Sequence, residues 1–329
     1  MNPFSNAVLE TVNTDPNEYH KLIGAPRGHP DRVMSRSEIA EFRRNPARWL
    51  AAGSFADEDE DTDALVWGSL VDCLLLTPGQ FEKRFVIRPT TYESSSGETK
   101  PWNGNSKVCQ AWIAEHAGMT VIKSELRARA ELAVRALKAD LRVSRMLDSA
   151  QTQVMALGTY RDPSTGIKVP VKALLDIVPD RHDEEYGKCL ADLKTCRTAS
   201  PRVWARQCFT FGYHIQAAWY LDLYVAAKPE DRTDWMHILS ENVPPFTVGR
   251  RLLSSEMVEL GRRSYQQGLR DYCRALATGV WPGWDDGPGT INGWSLVQEE
   301  AWMLEDLGGV DWPELPKTEG ANDSNDIIP

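Results

Sequence analysis

Two short β-forming runs, separated by a polar connection, constrain this chain most. The first, residues 169–178, is apolar or β-branched apart from Pro170, Lys172 and Asp176, the composition of a mostly buried strand. A side-chain period of two puts Lys172, Leu174 and Asp176 on one face. Residues 179–188 are polar, and a second strand follows over 189–195 with Asp192 and Lys194 on a common face. Paired as a hairpin, the two strands bring Asp176 towards Asp192 across the ladder.

Helical patterns surround this pair. Ser35 and Ser37 precede an acid-rich first turn, a helix start that runs to Pro46. Residues 64–76 are apolar almost all round and end at Thr77-Pro78-Gly79, so they read as a buried helix. Asp72 sits in its middle, and a buried carboxylate needs a metal, a cation or a hydrogen-bond donor. Residues 90–105 read as a loop, about 106–149 as amphipathic helix, and 153–162 as a strand turning at Asp162-Pro163-Ser164-Thr165-Gly166. A long helix begins at Pro201 and reaches about Ala227, with Tyr213, Gln216 and Tyr220 on one stripe, which suits an aromatic packing stripe as well as a site. Residues 251–278 give another amphipathic helix, followed by the aromatic turn Trp281-Pro282-Gly283-Trp284.

The domain organisation expected is a flexible leader over 1–33, one folded domain over 34–307 and an acidic disordered tail over 308–329. The tail ends in an apolar Ile-Ile-Pro, which suits partner docking as well as a plain disordered end. No run of 18 apolar residues occurs and the N-terminus lacks the basic-then-apolar pattern of a secretory signal, so a cytoplasmic protein with no membrane partner is expected. The six cysteines show no metal-ligand or disulfide spacing, and nothing in them supports an iron–sulfur cluster. A net charge of −10 argues against nucleic-acid binding by the whole surface and leaves room for a local basic groove. Much of the acid is concentrated in 57–63 and in the tail.

Two carboxylates and a lysine on adjacent strands suit metal-assisted phosphodiester hydrolysis. Hard oxygen ligands favour Mg²⁺, with Mn²⁺ as the alternative ion, over zinc. Asp72, Asp176, Asp192 and the backbone carbonyl of Leu193 are the candidate metal ligands. Lys194 is placed to orient or help deprotonate a water. An Asp-x-Lys triplet is common, and a solvated strand face explains it equally well.

The ordered series of motifs is more specific. It comprises SRSEIAEFRRNPARW at 35–49, WGSLVDCLLLTP at 67–78, TGIKVPVKALLD at 165–176, ADLKT at 191–195 and YHIQAAWY at 213–220. Together these resemble the RecB-like branch of the PD-(D/E)XK nuclease superfamily, most closely the RecE or exonuclease VIII-type exonucleases of phages and prophages, over roughly residues 34–300. The resemblance implies an α/β restriction-endonuclease-like core, with a central mixed β-sheet flanked by helices. It implies Asp176 and Asp192 as metal-binding acids, Lys194 as the catalytic lysine, and Gln216 and Tyr220 as a Gln-x-x-x-Tyr motif at the active site and DNA, with Tyr213 extending the stripe. It further implies a Mg²⁺-dependent exonuclease degrading double-stranded DNA ends 5′→3′ in recombination or phage DNA metabolism, a single-strand annealing protein as partner, and homo-oligomeric rings. Three positions depart from the pattern. Asp72 stands where such relatives carry His, Leu174-Leu175 where an Arg-Pro pair is common, and Gln153 near where a Glu is frequent. A catalytically weak or inactive DNA-end-binding module with the same fold is therefore the alternative.

Overall fold

In a computed structural model, the structure describes residues 2–52 and 63–286 and the backbone of 290–291 and 294–295. Most of the acidic run at 57–63 and the tail from 308 lie outside the described residues.

Met1–Gly283 forms one compact unit and Trp284–Pro329 another. In chain order the first unit contains β1 (Phe4–Thr11), α1 (Pro16–Lys21), α2 (Arg36–Arg44), α3 (Pro46–Ala52), α4 (Asp63–Leu76), α5 (Phe81–Arg84), β2 (Phe85–Ile87), β3 (Thr91–Glu93) and β4 (Thr99–Pro101). There follow α6 (Lys107–Glu115), β5 (Thr120–Ile122), α7 (Ser124–Ala139), α8 (Leu141–Asp148), β6 (Gln151–Arg161), β7 (Lys168–Val178) and β8 (Cys189–Cys196). The unit ends with α9 (Pro201–Thr210), α10 (Tyr213–Ala227), β9 (Asp234–Glu241), β10 (Val248–Leu252) and α11 (Ser255–Thr278). In the second unit a short β11 (Thr290–Ile291) pairs with β12 (Trp294–Ser295).

The central sheet is mixed and six-stranded, in the order β1-β6-β7-β8-β9-β10. The β8–β9 pair is parallel and its other neighbours are antiparallel. Two cores flank the sheet. Leu175, Val178 and Leu190 pack under α10, α11 and α2, whereas Ile177, Ala191 and Leu193 pack under α4, α7 and α8. The two helices that are apolar all round, α4 and α10, lie against opposite faces, which is where helices without a polar side must go. No single helix among the described residues is long and apolar enough to cross a membrane.

Two contacts fix α10, the helix that carries Gln216. Gly261 of α11 lies so close to the His214 carbonyl that a Cβ would collide with it, so the two helices touch backbone to backbone. Asp222 accepts two hydrogen bonds from Arg262, at 2.8 and 2.9 Å, and another from the Tyr265 hydroxyl.

Several expectations need correction. Residues 1–33 are not a flexible leader. β1 is an edge strand of the main sheet paired along β6, Phe4 is buried against Trp219 and Tyr265, and α1 is capped by Asp15. Its polar residues sit on the open side of an edge strand, which reads like a loose segment when only the sequence is seen. The 106–149 helix is three helices broken by β5, and the 90–105 loop contains the β3–β4 hairpin. The helix beyond Pro201 bends at Gly212, whose φ of 67° separates α9 from α10.

Candidate active site

β7 and β8 are paired at one register position, Ile177↔Ala191, and then diverge. That divergence opens a cleft of about 440 Å³. Lys172, Leu174 and Asp176 line it from β7, Asp192 and Lys194 from β8, and Gln216 and Tyr220 from α10. The period-two expectation for β7 therefore holds in three dimensions.

Where the strands part, the Leu193 N–H has no strand partner on the β7 side. The Asp176 side chain takes its place, accepting at 2.9 Å through Oδ2. A strand residue points its N–H and C=O to the same side, so the Leu193 carbonyl also faces the cleft.

Asp192 is 1 % exposed. Its Oδ1 accepts from Gln216 Nε2 at 2.6 Å, and Lys194 Nζ lies 2.5 Å from its Oδ2. Arg36 Nη2 donates to Gln216 Oε1 at 3.2 Å, which leaves the amide nitrogen to face Asp192. Lys194 Nζ sits 5.2 Å from the centroid of the Tyr213 ring, and that ring stacks on Trp204. Burial pulls the Lys194 ammonium down, but Asp192 and Asp176 outweigh it and hold its pKa above the ordinary value. Behind Asp192, on the parallel neighbour β9, His237 is fully buried and pushed down to about 4 by burial, so it is neutral.

The opposite wall is built differently. Asp72 on α4 accepts from Gln153 Nε2 at 2.8 Å, and the same amide reaches Asp176 Oδ1 at 3.5 Å. Gln153 lies across from Asp176, between the pairs Thr152↔Ile177 and Val154↔Leu175, and has a φ of 49°. Few non-glycine residues adopt that conformation without a local reason. Arg84 Nη1 is 3.7 Å from Asp72 Oδ1. Burial, reinforced by Asp192 and only partly offset by Arg84 and Lys194, pushes Asp72 up to about 6. Burial, then Asp192, then Asp72 raise Asp176 well above the usual carboxylate range. Two carboxyl groups raised in this way, beside the buried Asp192, call for positive charge near them.

Asp72, Asp176, Asp192, Lys194, Gln216 and Tyr220 are thus brought to one place, with Tyr213 behind the lysine. Tyr220 is 8 % exposed and lines the cleft together with Tyr19. Arg36, Arg84, Tyr19 and His237 were not singled out from sequence. Arg36 lies in the 35–49 motif, while the others carry no local signal. Lys172 closes the cleft at its far end, donating to the carbonyls of Tyr19 and Leu22 at 2.7 Å each. The N-terminal segment is consequently a wall of the site.

The donors suit a hard cation, because they are carboxylate and carbonyl oxygens. The buried Asp192 Oδ2 has the Lys194 ammonium near it but no hydrogen bond of acceptable geometry. Among the described residues, no three His, Cys, Asp or Glu side chains close into a ready-made metal-binding group. The Gln153 amide lies between Asp72 and Asp176, and the Lys194 ammonium lies against Asp192.

Residues 35–286 match the family described as "PDDEXK-like domain of unknown function (DUF3799)", and the chain belongs to that family. Its fold is that of the PD-(D/E)XK superfamily, with the mixed sheet and flanking helices described above. The structure is similar to that of a "Putative exonuclease" from Eubacterium rectale, with a TM-score of 0.51 and 15 % identity over 84 % of this chain and 94 % of that one. An alkaline exonuclease from Laribacter hongkongensis overlaps at a TM-score of 0.23 and 12 % identity, over 53 % of this chain and 84 % of that one. The first likeness supports the fold, and the second is too slight to carry an argument. No curated protein matches the chain.

Proposed function

We propose that this protein is a metal-dependent deoxyribonuclease, acting as an exonuclease on the ends of double-stranded DNA with 5′→3′ polarity. The observation that carries the reading is the convergence of Asp176, Asp192 and Lys194 where β7 and β8 part, with Gln216 held on Asp192. Asp72, Asp176, Asp192 and the Leu193 carbonyl would hold Mg²⁺ or Mn²⁺. The bound ion supplies a water of lowered pKa and neutralises charge on the scissile phosphate.

The chain's own residues have separable roles. Lys194 works as an ammonium, since the acids beside it hold its proton on; it orients the attacking water and offsets charge building on the phosphoryl oxygens. Tyr213 keeps that ammonium in place through its ring. Gln216, itself aimed by Arg36, holds the Asp192 carboxylate in one orientation. The attacking water releases a proton to solvent and its oxygen forms a bond to phosphorus as the phosphorus–oxygen bond to the neighbouring nucleotide breaks, and the released oxygen takes a proton from solvent. The motif series further supports a RecE-like setting in recombination or phage DNA metabolism, with an annealing protein as partner and a ring as the assembly.

The test is incubation of the purified chain with linear duplex and Mg²⁺, labelled separately at each 5′ and 3′ end. Loss of the 5′ label as mononucleotide, absent in Asp192→Asn and Lys194→Ala, is the expected result. Binding of duplex ends without cleavage at any Mg²⁺ or Mn²⁺ concentration would establish the second reading, a catalytically inactive end-binding module. That reading is favoured by the amide of Gln153 lying between Asp72 and Asp176.

A further inference from the structure

The segment from Cys196 to Leu221 contains Arg197, Arg202 and Arg206 and no Asp or Glu, in a chain whose net charge is −10. All three arginines are exposed, and none makes an ion pair among the described residues. Glu241 meets the segment at its start, where it accepts from the Ala199 N–H at 2.7 Å. Arg202, Arg206 and Phe209 are spaced i, i+4 and i+7, so they share one stripe of α9. Phe209 is 61 % exposed and Phe211 52 % exposed. Two large aromatic side chains therefore stand exposed on and just beyond the basic helix.

Each ring has an aromatic neighbour. Phe209 stacks on the buried His214 ring, with centroids 5.2 Å apart and planes within 9°. Arg36 Nη1 donates to the Phe211 carbonyl at 3.3 Å while its other terminal nitrogen holds Gln216. The Phe211 ring lies 5.8 Å from the Tyr213 ring, which in turn covers Lys194. A line of aromatic rings therefore runs from the surface to the lysine.

We propose that α9 and the turn after it form a clamp for the DNA end. Arg202 and Arg206 hold backbone phosphates of the duplex, and Phe209 and Phe211 stack on its terminal base pair at the mouth of the cleft. Positive charge on a stretch that carries no acid of its own matches a polyanion, and π-faces accept any base, so the clamp is electrostatic and independent of sequence. The proposal rests on DNA being what enters the cleft.

Binding without cleavage separates the two ideas. Full-length protein is titrated into a short dye-labelled blunt duplex with Ca²⁺ in place of Mg²⁺, across a series of salt concentrations. Arg202→Ala/Arg206→Ala is expected to weaken binding about tenfold or more and to lower the salt slope of log K by about 2. Phe209→Ala/Phe211→Ala is expected to leave that slope unchanged, to weaken binding to open ends about tenfold, and to remove the fluorescence change of a 2-aminopurine at the terminal position. The same phenylalanine variant should bind a duplex closed by hairpins at both ends as the unaltered protein does. Unchanged affinity and slope in the arginine variant would overturn the clamp and leave the patch to a protein partner. If the unaltered protein degrades no DNA with Mg²⁺, the nuclease reading fails, yet the anisotropy series still decides the clamp.

Discussion

The two walls of the cleft are made to different standards. On the α10 side every group is pinned: Arg36 holds Gln216, Gln216 holds Asp192, Asp192 holds Lys194, and Tyr213 covers the lysine. On the α4 side, Asp72 has a 3.7 Å approach from Arg84 and half a share of the Gln153 amide, and burial leaves its pKa near 6. One wall is complete as the chain folds, whereas the other is short of positive charge. On the proposed reading, the pinned wall positions the phosphate and the other is left to receive a cation.

The comparison is broken most severely through the pinned wall. Lys194→Ala and Asp192→Asn are each expected to lower the rate of DNA cleavage by about 10²–10³-fold or more, measured under single-turnover conditions, with thermal melting run alongside to exclude unfolding. If both variants cleave like the unaltered protein, the site has been assigned to the wrong strands. Gln216→Ala comes next, with a loss of about 10–100-fold that appears partly as weaker Mg²⁺ affinity. A Gln216→Glu change, which sets a carboxylate against Asp192, should be no better than alanine.

The α4 wall gives a smaller effect, of opposite sign. Asp72 ionises with difficulty, so its folded pKa near 6 lies above its ordinary 3.8. The folded protein then binds a proton that the unfolded chain has released. The stability linked to Asp72 is fully present below about 3.8 and is lost as pH rises through about 6. Asp72→Asn in EDTA should therefore be more stable than the unaltered protein at pH 8, by about 1–2 kcal/mol, with the gap closing as pH falls below about 6. Urea unfolding at the two pH values measures this, and a gap that widens in acid would reverse the assignment. The same substitution should weaken Mg²⁺ binding in calorimetry. Smallest of all, Tyr213→Phe should change cleavage less than about twofold, because the ring and not the hydroxyl meets Lys194.

Much of this protein is legible in its sequence. The alternation along 169–178 placed Lys172, Leu174 and Asp176 on one face, and the all-apolar pattern at 64–76 announced a buried helix. The order Asp72, Asp176, Asp-x-Lys, Gln-x-x-x-Tyr picked out residues that the fold gathers around one cleft. These are local properties, set by periodicity and composition within a few residues, and so they survive in one dimension. Only the tertiary structure decided that β7 and β8 part after one pair, that α1 and the segment after it wall the site, and that Arg36, Arg84 and Gln153 hold the acids. The reason is separation along the chain. Arg36 meets Gln216 across 180 residues, Lys172 meets Tyr19 across 153, and Gln153 meets Asp72 across 81. No local pattern encodes such pairs, because each partner is ordinary in its own neighbourhood and acquires its role only when the sheet brings the two together.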